Sequence, residues 1–166
     1  MYRIRPSVTV VPLDGNIIEF FLSSTRIQKR FAIGGSGILE ALLLLDGHRT
    51  AQDICSQIDC DVVIFENFIE KLDQECIVES LDVGRAIENE TNRRDLILLG
   101  DYIPHSEVME KWKQINASRV IIWGVGAVGS WTAVLLAQSG FRNFFFIDPD
   151  TVEESNLNRT PFKRTD

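Results

Sequence analysis

The sequence predicts an α+β winged helix-turn-helix followed by the first part of an α/β parallel sheet. Three observations support this order of fold classes. Short β-branched segments in the first half precede three segments with helical periodicity. A polar, charged segment follows at 84–95. In the last third, an apolar segment leads into glycines spaced G-x-G-x-x-G, and a second apolar segment ends in acidic residues.

Size and composition limit the classes of protein that fit. The 166 residues suffice for one domain or two small ones, and a hydrophobic content of 45% supports a core. A net charge of −7 disfavours nucleic acid and anionic membranes as partners. No apolar run approaches the roughly 20 residues of a membrane span, and residues 1–6 do not resemble a signal peptide. We therefore expect a cytoplasmic protein that binds neither nucleic acid nor membrane.

The candidate metal ligands form no recognisable pattern. Cys55, Cys60 and Cys76 lack a C-x-x-C pair, so we expect buried or free thiols in a reducing compartment. His48 and His105 belong to no motif. The sequence therefore predicts no metal site.

The first 82 residues are predicted to form strands, then three helices, then a wing. The strands are expected at 7–11, 17–22 and 30–33, with a turn at Asp14-Gly15 and a break at 34–37. A buried helix is expected at 38–45, and Thr50-x-x-Asp53 resembles a capping box for a helix to about Ile58. Asp61 caps a third helix, and a short strand follows at 77–79. The apolar stripe of the third helix consists of Val62, Phe65, Ile69 and Leu72.

Winged helices often bind DNA, but the charges here oppose that function. The third helix carries four acidic residues against Lys71 alone, and phosphates would repel them. The acidic residues are Glu66, Glu70, Asp73 and Glu75. The alternative ligand is an extended peptide that adds a strand to an open sheet edge.

Three segments of this half resemble the PqqD-like leader-peptide recognition element of peptide-natural-product enzymes. They are Arg5-Pro6-x-Val8-x-Val10, residues 43–50 with the sequence LLLDGHRT, and Glu70-Lys71-Leu72. The resemblance implies that a precursor leader peptide binds in the groove between the third strand and the third helix. Phe31 and Phe68 would line that groove, and ordinary core aromatics remain the alternative interpretation for both.

The middle of the chain is predicted to connect two domains. Residues 84–95 are polar and charged, which indicates a linker. Ser106 can cap a helix that runs to about Ile115, with Val108, Met109, Trp112 and Ile115 on its inward side. The predicted division is therefore a peptide-recognition domain at 1–83, a linker at 84–105 and a nucleotide-binding part at 106–166.

The last third carries the features of a Rossmann-like nucleotide site. Gly124, Gly126 and Gly129 lie between a predicted strand at 120–123 and a predicted helix at 128–139. Glycines there let a phosphate approach the free N–H groups of a helix N-terminus. Asp148 ends the next strand, nineteen positions after Gly129, where a carboxylate can accept hydrogen bonds from ribose. A nicotinamide dehydrogenase would share these features.

The residues that follow Asp148 narrow the choice. The pattern Asp148-x-Asp150-Thr151-Val152-x-x-Ser155-Asn156-Leu157-Asn158-Arg159 resembles the ubiquitin-activating-like adenylating enzymes, the ThiF, MoeB and MccB family. The resemblance covers about residues 93–166. An N-terminal peptide-binding element before such a domain most resembles MccB and the leader-binding ThiF-like proteins of azoline peptide pathways.

The resemblance implies a role for each matching residue. The three glycines match the phosphate turn, with Ala127 where many members have a further glycine. Asp148 matches the ribose ligand, and Ser155, Asn156 and Arg159 match contacts to adenine and phosphate. Residues 92–100 resemble the stretch in which an arginine, here Arg94, reaches phosphates of the neighbouring subunit, which implies a homodimer. An ordinary linker arginine is the alternative.

The reaction implied is adenylation of a peptide C-terminal carboxylate by Mg²⁺-ATP during ribosomal-peptide (RiPP) maturation. Arg159 and Arg94 would be its catalytic residues. A non-catalytic adaptor that delivers the precursor to a cyclodehydratase and an NAD-dependent oxidoreductase remain alternatives.

The sequence also departs from the family pattern. Thr160 stands where most adenylating members have glutamine. Asp166 resembles the start of a stretch whose phosphate-contacting lysine is absent, as are the magnesium-binding aspartate and the later strands. A single β-α-β unit cannot cover both faces of a parallel sheet, and the strand at 144–147 would lie near an open edge. We therefore expect a fragment or truncated product, inactive alone, or a chain completed by a partner or twin subunit.

Overall fold

The computed structural model describes residues 1–14, 16–33 and 37–163, which divide into two units, Met1–Met109 and Glu110–Asp166. Three sequence features lie wholly or partly outside the described residues. They are Gly15 of the expected turn, residues 34–36 of the expected chain break, and Asp166.

The strands of the first unit pair in two small antiparallel sheets. The strands are β1 (Tyr2–Ile4), β2 (Val8–Leu13), β3 (Ile17–Leu22), β4 (Ile27–Ala32) and β5 (Val78–Ser80). One sheet has the order β2-β3-β4, and in the other β1 pairs with β5. Alternation along β3 buries Ile18, Phe20 and Leu22, as expected for a strand with one face on the core. In the described sheet, β4 is an edge strand.

Three helices follow the larger sheet, close to the predicted positions. They are α1 (Gly37–Leu44), α2 (Ala51–Ile58) and α3 (Val62–Gln74). The predicted capping box is confirmed: the Asp53 N–H donates to Thr50 Oγ1 across 3.2 Å, and the Thr50 N–H donates to Asp53 Oδ2 across 2.9 Å. The Asp61 carboxylate caps α3 by accepting from Val63 N and Ile64 N. Side-chain caps thus define where both helices begin.

The core of the first unit joins β3, the three helices and β5. Phe65, Ile69 and Leu72 of the predicted α3 stripe are buried, and Val62 is partly buried. The buried residues of this core are Ile18, Phe20, Leu22, Ala41, Leu42, Leu45, Ile54, Cys55, Phe65, Ile69, Leu72, Cys76, Ile77 and Val78.

The stretch 84–105, where we expected a linker, contains helical structure. It includes most of α4 (Leu81–Glu88), all of α5 (Arg93–Gly100) and the start of a 3₁₀ turn at His105–Glu107. The charged side chains that suggested a linker lie mainly on exposed faces, whereas Ile87 and Leu96 are buried. The Arg5 guanidinium ties α5 to the N-terminal segment by donating to the Gly100 carbonyl and, across 2.7 Å, to Asp101 Oδ1. Two short amphipathic helices therefore occupy most of the expected linker.

The second unit contains the predicted β-α-β order. Its strands are β6 (Arg119–Trp123) and β7 (Asn143–Ile147), which pair in parallel, and its helix α7 is Ala127–Gln138. The helix α6 (Val108–Ala117) leads into this unit. The apolar side chains of Ile121, Trp123, Phe145 and Phe146 are all more than half exposed. The described sheet thus has the open apolar faces expected of a single β-α-β unit.

Among the described residues, no helix has the length and hydropathy that crossing a lipid bilayer requires.

Candidate functional site

The glycine turn joins β6 to α7, and each glycine has its own physical reason. Gly124 has φ of +89°, which disfavours any side chain. A Cβ at Gly129 would lie 1.8 Å from the Gly124 carbonyl oxygen, so this glycine permits close packing of helix and strand. A Cβ at Gly126 would have nothing within 4 Å. The first and third glycines therefore serve the fold, and Gly126 leaves open space at the helix N-terminus.

The N-terminus of α7 is suited to an anion. Gly126 is the N-cap and has no side chain that could accept a hydrogen bond from the first N–H groups of the helix. Ala127 begins the helix, one residue before the predicted start at 128. These N–H groups and the helix dipole favour negative charge at this end.

Asp148 follows β7, and its carboxylate stabilises the glycine turn by accepting hydrogen bonds. Its Oδ2 accepts from Val125 N across 2.5 Å, and its Oδ1 accepts from Asp150 N across 2.9 Å. The bonds from Asp150 and then Val125 hold the pKa of this carboxyl below its usual range, so it stays ionised at neutral pH. Each carboxylate oxygen has a second lone pair, so hydrogen bonds to a sugar remain available.

The segment around Arg159 is held by its own backbone and by α7. The Asn156 side chain accepts from Glu153 N across 2.8 Å, and the Thr160 hydroxyl donates to the Asn156 carbonyl across 3.0 Å. The Trp131 indole N–H donates to the Arg159 carbonyl across 3.1 Å. Arg159 Nη1 donates to the Ser155 carbonyl across 2.6 Å. The Arg159 side chain is exposed, and its guanidinium is held at one nitrogen, Nη1.

A cavity of about 220 Å³ brings most of the predicted site residues together. Gly126 and Ala127 line it from the turn, Asp148 from the strand end, and Asn156 and Arg159 from the following segment. Among its lining residues, Arg159 is the only cation. Gly124, Gly129 and Ser155 support these segments without lining the cavity. A helix N-terminus, a carboxylate and a guanidinium around one cavity can hold an anion attached to a sugar.

The predicted residues of the first unit have different surroundings. Phe31 packs edge-on against Phe20 with ring centroids 5.6 Å apart, and the Lys71 ammonium lies 5.5 Å from the Phe31 ring. Phe68 lines an apolar cavity of about 390 Å³. Arg94 lies on α5 with an exposed side chain. A larger cavity of about 490 Å³ in this unit is lined by none of the predicted site residues.

Several residues of the site were missed by the sequence analysis. Val125 supplies the N–H that Asp148 accepts, and Trp131 supports Arg159. The position of Trp131, one helical turn after Ala127, was the available signal. Among the described residues, no group of three or more His, Cys, Asp or Glu side chains is arranged to hold a metal ion.

Comparison with protein families gives a match for the C-terminal 64 residues of the chain. Residues 103–166 match the model of the ThiF family. This segment contains the whole glycine turn, Asp148 and the Arg159 segment.

Curated relatives match about a third or slightly more of the chain. The adenylyltransferase and sulfurtransferase UBA4 of Candida albicans is 33% identical over 64 residues, which are 39% of this chain and 15% of that protein. The ubiquitin-like modifier-activating enzyme 5 of Mus musculus is 39% identical over 56 residues, or 34% of this chain and 14% of that protein. The chain therefore spans only a small share of the length of these relatives.

Solved structures match almost the whole chain. Escherichia coli MccB aligns with a TM-score of 0.65 at 17% identity, covering 99% of this chain and 46% of MccB. The MccB structure with ATP aligns at 0.61 and 18% identity, with 99% and 48% coverage. PaaA aligns at 0.55 and 22% identity, covering 97% of this chain and 50% of PaaA. At these identities the likeness establishes the fold, and the chain spans about half the length of each structure.

Proposed function

We propose that this protein acts in ribosomal-peptide maturation: its first unit binds a precursor leader peptide, and its second unit contributes to an ATP site for adenylating a peptide carboxylate. The observation that carries the proposal is the cavity beside the α7 N-terminus, which Asp148 and Arg159 both line. The ThiF match over residues 103–166 supports adenylation over nicotinamide chemistry.

The residues of the second unit have distinct tasks in this proposal. The α7 N-terminus and the open space at Gly126 receive phosphate, and Asp148 accepts hydrogen bonds from ribose. Ser155 and Asn156 lie on the adenine side. Arg159 offers its remaining N–H groups to phosphate oxygens as charge builds during attack on the α-phosphate. The solved complexes of MccB with ATP support a nucleotide in a fold of this type.

The ATP would bind together with Mg²⁺, which neutralises phosphate charge. The family resemblance places the protein ligand of the magnesium ion outside this sequence, and the described residues contain no group of three or more His, Cys, Asp or Glu side chains that would hold a metal. A homodimer in which Arg94 reaches the neighbouring subunit's phosphates remains part of the proposal. The exposed position of Arg94 is compatible with such a contact.

The peptide-binding half of the proposal rests on the edge strand β4 and the helix beside it. In the described sheet, β4 pairs only with β3, so its other edge can accept an extended peptide as a strand. Lys29 of β4 donates to the Glu75 carboxylate across 2.7 Å, which places the end of α3 beside this strand. Phe31 and Phe68 offer apolar surface on these two elements, in the manner of a PqqD-like winged helix. MccB has been solved in complex with N-formylated MccA, which supports a peptide partner.

The test is peptide-dependent exchange of pyrophosphate into ATP by the complete encoded polypeptide. The probe is a synthetic library of short peptides with free C-terminal carboxylates, and the same library amidated at the C-terminus is the control. We expect exchange only with free carboxylates and Mg²⁺. Arg159→Ala should slow exchange about ten- to a hundredfold, because a charge-assisted hydrogen bond contributes about 1.5–3 kcal/mol. Arg142→Ala, an exposed arginine outside the cavity, should leave exchange unchanged.

The other outcomes separate the alternative functions. Peptide binding without exchange would identify a non-catalytic adaptor. Oxidation or reduction of a nicotinamide cofactor would identify an oxidoreductase. No measurable affinity for Mg²⁺-ATP by the folded protein would overturn the nucleotide proposal and leave only peptide binding.

A further inference from the structure

The carboxyl end of α2 brings two thiols together. Asp59 is left-handed, with φ of +52°, and Cys60 N donates to the Cys55 carbonyl across 3.2 Å. This closure has the 6→1 hydrogen bond of a Schellman motif, in which the side chains of the two bonded residues commonly touch. Here those side chains are Cys55 and Cys60, and their sulfur atoms lie 2.7 Å apart. The local backbone therefore holds the two thiols close enough for a disulfide to form between them once an oxidant is supplied.

The two thiols differ in their access to solvent. Cys55 is 3% exposed, whereas Cys60 is partly exposed. Burial, followed by the adjacent Cys60 thiol, raises the pKa of the Cys55 thiol. Because the thiolate is the nucleophile, the more accessible Cys60 should react first with an oxidant. Cys55 should then attack the mixed disulfide that has formed on Cys60.

Cys60 also forms part of an apolar surface. It lines the cavity of about 390 Å³ together with Ile58, Phe65 and Phe68. A covalent link from Cys60 to Cys55 changes one wall of that cavity. An effect of this disulfide on peptide binding would rest on the proposed function. Formation of the disulfide does not.

We propose that Cys55 and Cys60 form a reversible intramolecular disulfide, a redox modification site in the wall of this apolar cavity. With glutathione disulfide as the oxidant, the Cys60 thiolate attacks one sulfur and expels one glutathione thiolate. The Cys55 thiolate then attacks the Cys60 sulfur and expels the second glutathione thiolate. The two cysteines lose two protons and two electrons, and two molecules of reduced glutathione form.

The test counts free thiols in the full chain. Reduced protein is incubated with glutathione disulfide, unfolded, alkylated with N-ethylmaleimide and weighed by intact-mass spectrometry. We expect the free thiols to fall from three to one and to return to three after dithiothreitol. Peptide mapping should find the link between Cys55 and Cys60.

Two variants serve as matched controls. The variant Cys76→Ala retains Cys55 and Cys60, so its number of free thiols should fall from two to none on oxidation. Cys60→Ser removes the partly exposed partner with little demand on the core, so it should form no intramolecular disulfide. Far-UV circular dichroism verifies that each variant is folded.

Three results would overturn the proposal. The first is retention of all three thiols by the wild-type chain. The second is a stable mixed disulfide of Cys60 with glutathione that Cys55 does not resolve. The third is a disulfide between two chains in place of the internal link.

Discussion

Two glycines of the turn between β6 and α7 should respond to the same substitution in opposite ways. A Cβ at Gly129 would lie 1.8 Å from the Gly124 carbonyl oxygen and 3.2 Å from Ile122 Cγ2. A Cβ at Gly126 would meet nothing within 4 Å, and Gly126 has φ of −64°, outside the left-handed region that favours glycine. Gly129→Ala should therefore damage the fold, and Gly126→Ala should affect mainly the cavity.

The expected magnitudes follow from these contacts. Added methyl groups in packed interiors usually cost about 1–3 kcal/mol. The clash at Gly129 involves rigid backbone, so we expect about 3 kcal/mol and a fall in Tm of at least about 12 °C for so small a unit. Gly126→Ala should cost less than about 1 kcal/mol, because a poorer N-cap is offset by lower entropy of the unfolded chain. Its methyl group should weaken Mg²⁺-ATP binding about tenfold by narrowing the cavity.

Tryptophan fluorescence is the selective assay for this pair. All three tryptophans, Trp112, Trp123 and Trp131, lie in the second unit, so their signal reports its unfolding and leaves the first unit silent. Thermal melts give the change in Tm, and titration calorimetry gives the ATP affinity of the folded variants. Equal melting temperatures for Gly129→Ala and Gly126→Ala would refute the packing argument.

Two further predictions concern the first unit and use far-UV circular dichroism during urea unfolding. Burial lowers the pKa of His105, and Ser80 N donates to its Nδ1 across 3.2 Å. The folded state therefore disfavours protonation of His105, whereas the unfolded chain takes up this proton near pH 6.5. The free energy of unfolding should have its full value above pH 6.5. As the pH is lowered further, the free energy of unfolding should decrease by up to about 1.4 kcal/mol per pH unit. His105→Asn should flatten this dependence between pH 7.5 and 5.5, whereas replacing the exposed His48 should not; an unchanged slope in His105→Asn would contradict the assignment. Arg5→Met should lower the free energy of unfolding by about 3 kcal/mol, because Asp101 loses its cation. The double variant Arg5→Met/Asp101→Leu should recover most of that loss. An equal loss in both variants would count against the ion pair.

Local signals in the sequence predicted much of the secondary structure. The capping box of Thr50 and Asp53 and the cap at Asp61 place the starts of α2 and α3, because each bond joins residues at most three positions apart. The β-α-β order around the glycine turn was predicted for the same reason: strand, turn and helix N-terminus are contiguous.

The two short helices within 84–105, where we predicted a linker, were not predicted because charged residues concealed their amphipathic pattern. Helices α4 and α5 each bury only a narrow apolar face, which includes Ile87 in α4 and Leu96 in α5. Their exposed charged residues therefore dominate the local composition. The contact of Arg5 with Asp101, 96 positions away, has no counterpart in any local pattern.

The candidate site divides in the same way between local and distant information. The roles proposed for Gly124, Gly126, Asp148 and Arg159 came from their spacing and from a family resemblance, and these roles stay predictions. Spacing could not reveal that the Asp148 carboxylate accepts from Val125 N, 23 positions earlier, or that Trp131 supports Arg159.

The sequence by itself determined the contiguous features: helix caps, strand alternation, the glycine turn and the order of elements. The backbone hydrogen bonds and side-chain caps behind them span a few residues, so nearby residue types suffice to specify them. Only the tertiary structure decided that β1 pairs with β5, that Asp148 braces the turn and that Asp148 and Arg159 line one cavity. Those contacts join separate segments of the chain, and their geometry exists only after packing has brought the segments together.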